Sequence, residues 1–158
     1  MRRDLLAAAL QGNSAFVLDE REFDRKGSSY TVDTLQKLKE EFGDRSLCLI
    51  IGSDSFLQLD TWHEWQSLID YCHIVVAVRP GWQGNPEQIF DGFFAKKLVR
   101  DADRLHQTES GHLLVWQVSQ LEISATRIRG MIAQGKSPRY LLPAEVMELI
   151  EQNALYRG

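Results

Sequence analysis

The chain has few cysteines, no long apolar run and no excess of positive charge, and each lack excludes something. Two cysteines in 158 residues, with no C-x-x-C spacing, cannot staple a disulfide scaffold. Cys48 and Cys72 both fall in apolar runs. They are expected as buried thiols in a reducing cytoplasm, with a strand-to-strand disulfide as the less favoured alternative. No apolar stretch reaches the roughly 20 residues a membrane-spanning helix needs. The start, Met1-Arg2-Arg3 followed by Leu5 to Leu10, has the form of a signal peptide. Asp4 and Gln11 interrupt it and no small-residue cleavage site follows, so an amphipathic helix is the better reading. Lysine and arginine number 18 against 22 acidic residues, a net charge of −4. That excludes broad binding to nucleic acid or to a membrane surface. An anionic ligand would need a local basic pocket. There is no internal repeat and no low-complexity segment. At 44% apolar and 25% charged, the chain is long enough to bury a core as one domain spanning residues 1–158.

The patterning points to an α/β fold. Asp4 to Leu10 is expected as helix, stopped by Gly12-Asn13, and Ala15 to Leu18 as a short strand. Asp19 to Ser29 is charged and expected as loop. Val32, Leu35, Leu38 and Phe42 recur at helical spacing from Thr31, with Gly43 as the stop. Leu47 to Ile51 is an unbroken apolar run, the sign of a strand covered on both faces. Thr61 to Tyr71 is predicted as helix and His73 to Val78 as a second buried strand. A loop over Gly81 to Gln88, a helix over Gln88 to Val99 and a mobile polar segment over Arg100 to Gly111 follow. His112 to Val118 reads as strand, and helices are expected over Ser124 to Gln134 and Pro143 to Gln152. Strands alternating with helices imply a doubly wound parallel sheet with right-handed crossovers.

Ligands of such sheets bind at the carboxyl ends of the strands. There Leu49-Ile50-Ile51 runs into Gly52-Ser53-Asp54, followed by Thr61-Trp62-His63-Glu64-Trp65. Gly52 lets another group approach the backbone. The Asp54 carboxylate can accept hydrogen bonds from a ribose diol, or serve as a helix N-cap. Trp62 or Trp65 can stack on a flat ring or fill the core; Trp65 is assigned to the core. Strand Ile74 to Val78 ends in Arg79-Pro80-Gly81. Pro80 biases Arg79 toward an extended backbone that would aim it out of the end of the sheet. Ser124-Ala125-Thr126-Arg127-Ile128-Arg129 opens a helix whose N–H groups, with the Arg129 fork one turn on, suit phosphate oxygens. The same residues also make an ordinary capped helix with solvent-facing arginines. Asp33, His73, His106 and His112 have no assigned partner and are taken as structural or exposed.

Taken in order, Ser29-Tyr30-Thr31, Gly52-Ser53-Asp54 with Thr61-Trp62-His63, Arg79-Pro80-Gly81 and Ile123-Ser124-Ala125-Thr126-Arg127-Ile128-Arg129 resemble bacterial nicotinate-nucleotide adenylyltransferase. The resemblance continues through Tyr140-Leu141-Leu142-Pro143 and Asn153-Ala154-Leu155-Tyr156-Arg157. It implies a Rossmann-like nucleotidyltransferase fold. The implied reaction is adenylyl transfer from ATP to nicotinate mononucleotide, giving deamido-NAD and pyrophosphate, with Mg²⁺ carried on the ATP phosphates. It also implies the roles of the site residues. Ser124, Thr126 and Arg129 would face the triphosphate, Gly52 and Asp54 the nucleotide, and Arg79 the mononucleotide phosphate. Thr31 and the His63 amide would bind the ring carboxylate, with Trp62 stacked on the ring. A homo-oligomer is left open.

One part of the family pattern is not found in these residues. The family begins with a strand, a glycine-rich phosphate loop and a His/Thr-x-Gly-His signature. The nearest string is Glu109-Ser110-Gly111-His112, which precedes a strand instead of opening a helix. The expectation is therefore an N-terminally truncated fold, about three quarters of the family's, lacking on the order of fifty residues. Such a chain would have little activity by itself. The competing readings are an inactive nucleotide-binding remnant and a related transferase acting on nicotinamide mononucleotide or pantetheine phosphate.

Overall fold

The computed structural model describes residues 1–23, 27–119, 121 and 123–157. Its helices are α1 (Arg2–Leu10), α2 (Thr31–Phe42), α3 (Ser53–Phe56), α4 (Leu68–Tyr71), α5 (Ala125–Ala133) and α6 (Ala144–Gln152). Its strands are β1 (Cys48–Gly52), β2 (His73–Val78), β3 (Leu98–Val99) and β4 (Leu113–Gln117). The chain packs as two compact units: Arg21–Gln120, and Met1–Glu20 with Leu121–Gly158.

The larger unit holds a parallel sheet in the order β1-β2-β4-β3. Leu49 pairs with Ile74, which pairs with Leu113; Ile51 pairs with Val76, which pairs with Val115. These residues share one face, because side chains alternate along a strand and neighbours in register point the same way. Val32 and Leu35 of α2, Phe56 of α3, Leu59, and Leu68 and Ile69 of α4 join that face in the main core. Burying each large side chain contributes roughly 1.5–3 kcal/mol. α2 begins after an extended Tyr30 and ends at Gly43, whose positive φ of 61° suits glycine.

The smaller unit packs α1 against α6. Ala8, Val146 and Ile150 are buried there, with Leu5, Ile132, Leu142, Leu149 and Leu155 around them. Pro143 precedes α6, and Ser124 caps α5.

Several expectations are corrected. Ala15 to Leu18 form no strand; Phe16 and Val17 are exposed and have no neighbouring strand to pair with. The run at β1 is covered on one face only. β1 lies at the edge of the sheet, Ile50 is 69% exposed and Cys48 is also exposed, not a buried thiol. Both cysteines are free, and Cys72 is buried as expected. Thr61 to Tyr71 are not one helix. Trp62 is extended and Glu64 has φ 48°, which divides the segment into two short 3₁₀ turns and α4. Gln88 to Val99 are not a helix either, because left-handed Phe90 and Asp91 break it and β3 closes the segment. The polar stretch after Arg100 carries a helical turn, Ala102–His106. The Asp101 side chain caps it by accepting from the Asp103 N–H at 3.0 Å, and Leu105 is buried beneath. Residues 24–26 of the expected charged loop lie outside the described residues.

His73 and His112 have partners that sequence does not reveal. The His73 ring is fully buried; its Nδ1 accepts from the His112 N–H at 3.1 Å. That leaves the proton on Nε2, which donates to the Thr108 carbonyl at 2.9 Å. The two imidazoles stack at 5.3 Å with planes 8° apart. Loss of water lowers the His112 pKa, and the neighbouring His73 and Arg104 push the same way.

Candidate functional site

The carboxyl ends of β1 and β2 lie level, since Gly52 pairs with Ala77. The residues that follow, Asp54 and Arg79, therefore leave the same end of the sheet from adjacent strands. Gly52 has φ −74° and ψ 160°, which any residue adopts. A side chain added there would meet no atom within 4 Å. Neither backbone nor packing requires glycine at this position; it keeps the strand end open to an incoming group. Asp54 is exposed in the first turn of α3, and Gly52 occupies the N-cap. The N-cap reading of Asp54 therefore falls away. Arg79 is exposed and opens a turn in which its carbonyl accepts from the Trp82 N–H at 3.1 Å. Pro80 and left-handed Gly81, φ 84°, are the residues such a turn selects.

Beside this end, two distant stretches of chain meet. The Tyr30 ring lies 4.1 Å from the His63 imidazole, centroid to centroid, with 32° between planes. Thr31 is the first residue of α2, directly after Tyr30. Among the described residues, neither the Thr31 hydroxyl nor the His63 backbone N–H has a hydrogen-bond partner in the protein. Trp62 is half-buried against the main core. Trp65 belongs to a packed aromatic group, 5.0 Å from Phe90, 4.9 Å from Phe93 and 6.2 Å from Phe94. That supports the core assignment of Trp65.

In the smaller unit, the Ser124 hydroxyl caps α5 by accepting from the Arg127 N–H at 3.2 Å. The cap uses an acceptor lone pair and leaves the hydroxyl proton free to donate. Arg129 Nη2 donates to Thr126 Oγ1 at 3.3 Å, so the two exposed side chains share one edge of the helix start. A hydroxyl and a guanidinium held together at a helix start are donors of the kind that phosphate oxygens accept from. The capped-helix reading and the phosphate reading of this motif are thus compatible.

Sequence reasoning names Tyr30 only as a letter of its motif. Its contact with His63 has no local signal, because ring contacts between remote segments leave no periodicity.

Residues 1–131 match the cytidylyltransferase-like family. The probable nicotinate-nucleotide adenylyltransferase of Aeromonas salmonicida is 44% identical over 157 residues, covering 99% of this chain and 73% of the relative. The protein of that name from Acidithiobacillus ferrooxidans is 42% identical, covering 95% of this chain and 69% of the relative. Among solved structures, Plasmodium falciparum nicotinic acid mononucleotide adenylyltransferase complexed with APC is similar with a TM-score of 0.63. It is 14% identical, with 98% of this chain and 74% of that one covered. The same enzyme complexed with NaAD also has a TM-score of 0.63, over 98% of this chain and 72% of that one. The structural likeness shows the fold, a parallel α/β sheet of the nucleotidyltransferase type. At this identity and coverage, the chain belongs to the nicotinate-nucleotide adenylyltransferase family.

Proposed function

We propose that this protein serves adenylyl transfer from ATP to nicotinate mononucleotide, forming deamido-NAD and pyrophosphate in NAD biosynthesis. An oxygen of the mononucleotide phosphate attacks the α-phosphorus of ATP. The bond from that phosphorus to the bridging oxygen breaks, and the electron pair leaves with pyrophosphate. The nucleophile is already an anion, so no strong base is needed; positioning and charge stabilisation carry the reaction.

The residues divide by role. Arg79 holds the mononucleotide phosphate at the end of β2. Gly52 gives close approach at the end of β1, and Asp54 accepts from ribose hydroxyls. Ser124, Thr126 and Arg129 act as the triphosphate-side donors. Thr31 and the His63 N–H bind the ring carboxylate, with Trp62 as the stacking face. The observation that carries this reading is the contact of the Tyr30 ring, one residue before Thr31, with the His63 imidazole, together with the lack of a protein hydrogen-bond partner for the Thr31 hydroxyl and the His63 N–H among the described residues. A ring carboxylate accepts two such hydrogen bonds, whereas an amide presents one oxygen and an NH₂ group that donates. This favours the acid form of the mononucleotide over nicotinamide mononucleotide, and the names of the relatives support it.

Among the described residues, no group of three or more His, Cys, Asp or Glu could hold a metal ion. Among the described residues the side chains do not fit a protein-built Mg²⁺ cage, and no step of the transfer is assigned to one. Mg²⁺ is proposed as arriving on the ATP phosphates, its usual mode in phosphoryl chemistry. No helix among the described residues is long and apolar enough to cross a membrane.

Calorimetric titration tests the reading. Nicotinate mononucleotide should bind more tightly than nicotinamide mononucleotide, and Thr31→Val should reduce the difference. Indifference of the protein to acid or amide would refute it.

A further inference from the structure

The Tyr30–His63 ring contact ties the segment just before Thr31 to the corner that carries the His63 N–H. Thr31 starts α2, while His63 sits in the corner between 3₁₀ turns, and neither residue hydrogen-bonds across to the other segment. The His63 peptide lies between extended Trp62, φ −79° and ψ 145°, and left-handed Glu64, φ 48° and ψ 39°. A non-glycine residue rarely adopts that second conformation. The direction of the His63 N–H therefore depends on what holds this corner. His63 Nε2 lies 3.6 Å from Glu64 Oε1, but both side chains are well exposed, so that pair fixes little. The Tyr30 ring, 4.1 Å away and tilted 32°, is the firmer support.

We infer that Tyr30 is a positioning residue for recognition of the ring carboxylate. Its ring, packed at a 32° tilt against the His63 imidazole, fixes the His63 N–H relative to the Thr31 hydroxyl so that both meet one carboxylate. The inference rests on the proposed acid-specific pocket and adds to it a residue that touches no substrate. The phenol hydroxyl has no part in this role; the ring face does. Tyr30 is 40% exposed, so its truncation does not open the core.

The test is calorimetric titration of nicotinate mononucleotide, nicotinamide mononucleotide and ATP into the unsubstituted protein and the variants Tyr30→Ala, Tyr30→Phe, His63→Ala and Tyr30→Ala/His63→Ala, with a thermal melt of each. Tyr30→Ala should weaken nicotinate mononucleotide about tenfold, the scale of one misaligned charge-assisted hydrogen bond. It should leave ATP unchanged and affect the amide mononucleotide far less. Tyr30→Phe should restore acid binding, and the double variant should be no worse than either single one, since both remove one contact. Failure of Tyr30→Phe to restore binding would overturn the inference, because the hydroxyl would then be the active part. So would equal loss for acid and amide, additive losses in the double variant, or a matching drop in melting temperature. A selective protein whose Tyr30→Ala variant stays equally selective refutes this inference alone. An unsubstituted protein with no preference refutes the pocket reading and this inference with it.

Discussion

Replacing the two tryptophans of the 62–65 corner one at a time should separate binding from packing. Trp65 lies within 5.0 Å of Phe90 and Phe93 and 6.2 Å from Phe94. Truncating a buried tryptophan costs about 3–5 kcal/mol. Trp65 is only half-buried, so the lower end, about 3 kcal/mol, is expected for Trp65→Ala. For a chain of this length, each kcal/mol lowers Tm by roughly 2–4 °C, giving a drop of about 6–12 °C. Trp62 packs on the edge of the same core and should cost less stability. Its loss should instead weaken nicotinate mononucleotide by about 1–3 kcal/mol, the worth of stacking one base on an aromatic ring. That is roughly a fivefold to 150-fold increase in Kd. The assays are urea and thermal melts, with calorimetric titration of the mononucleotide and of ATP into the folded variants. ATP affinity should hold in both. If folded Trp65→Ala lost the mononucleotide while Trp62→Ala lost chiefly stability, the pocket would be placed on the wrong face of the corner.

Three further outcomes are expected. Arg129→Ala should weaken ATP binding by about tenfold to a hundredfold, and Arg129→Lys should recover only part of it, because lysine cannot offer a planar fork to phosphate oxygens; unchanged ATP titrations would remove Arg129 from the triphosphate side. A thiol reagent should modify exposed Cys48 in the native protein and reach Cys72 only after denaturation, since burial pushes the Cys72 thiol up to about 12; rapid native modification of both would contradict the packing of α4 on β2. His112 favours its neutral form in the folded state, so its contribution to stability is complete above about pH 6.5 and is lost as pH falls below that value toward its lowered folded pKa. Urea melts across this range should show stability declining toward acid, less steeply in His112→Gln, and equal slopes would refute the assignment.

The legible parts of the fold were those whose signals are local. α2 could be read because apolar residues recur at helical spacing and Gly43 ends it; α5 and α6 because Ser124 and Pro143 mark their starts. β2 was read from an apolar run, and four of its six residues are buried, with Val75 and Ala77 partly so. The illegible parts are those in which packing overrides pattern. Glu64, Phe90 and Asp91 take left-handed conformations that cost about 1–2 kcal/mol each in such residues, and no sequence signal announces them. In the 89–94 segment, Phe90, Phe93 and Phe94 gather around Trp65 and Phe56, and that packing offsets the strain. Ala15 to Leu18 have strand-forming residues and no strand beside them, so their propensity has nothing to act on. For the site, the sequence located the strand ends that carry Gly52, Asp54 and Arg79, because parallel sheets place ligands there. It could not reveal that Tyr30 lies against His63, or that His73 binds the 108–112 turn through both ring nitrogens.

The central claim is that this protein distinguishes a ring carboxylate from a ring amide. Side-by-side titration of nicotinate mononucleotide and nicotinamide mononucleotide into the same preparation tests it most directly. One charge-assisted hydrogen bond lost to the amide is worth roughly 1.5–3 kcal/mol, so the acid should bind about tenfold to a hundredfold more tightly. Equal dissociation constants for the two mononucleotides would contradict the account.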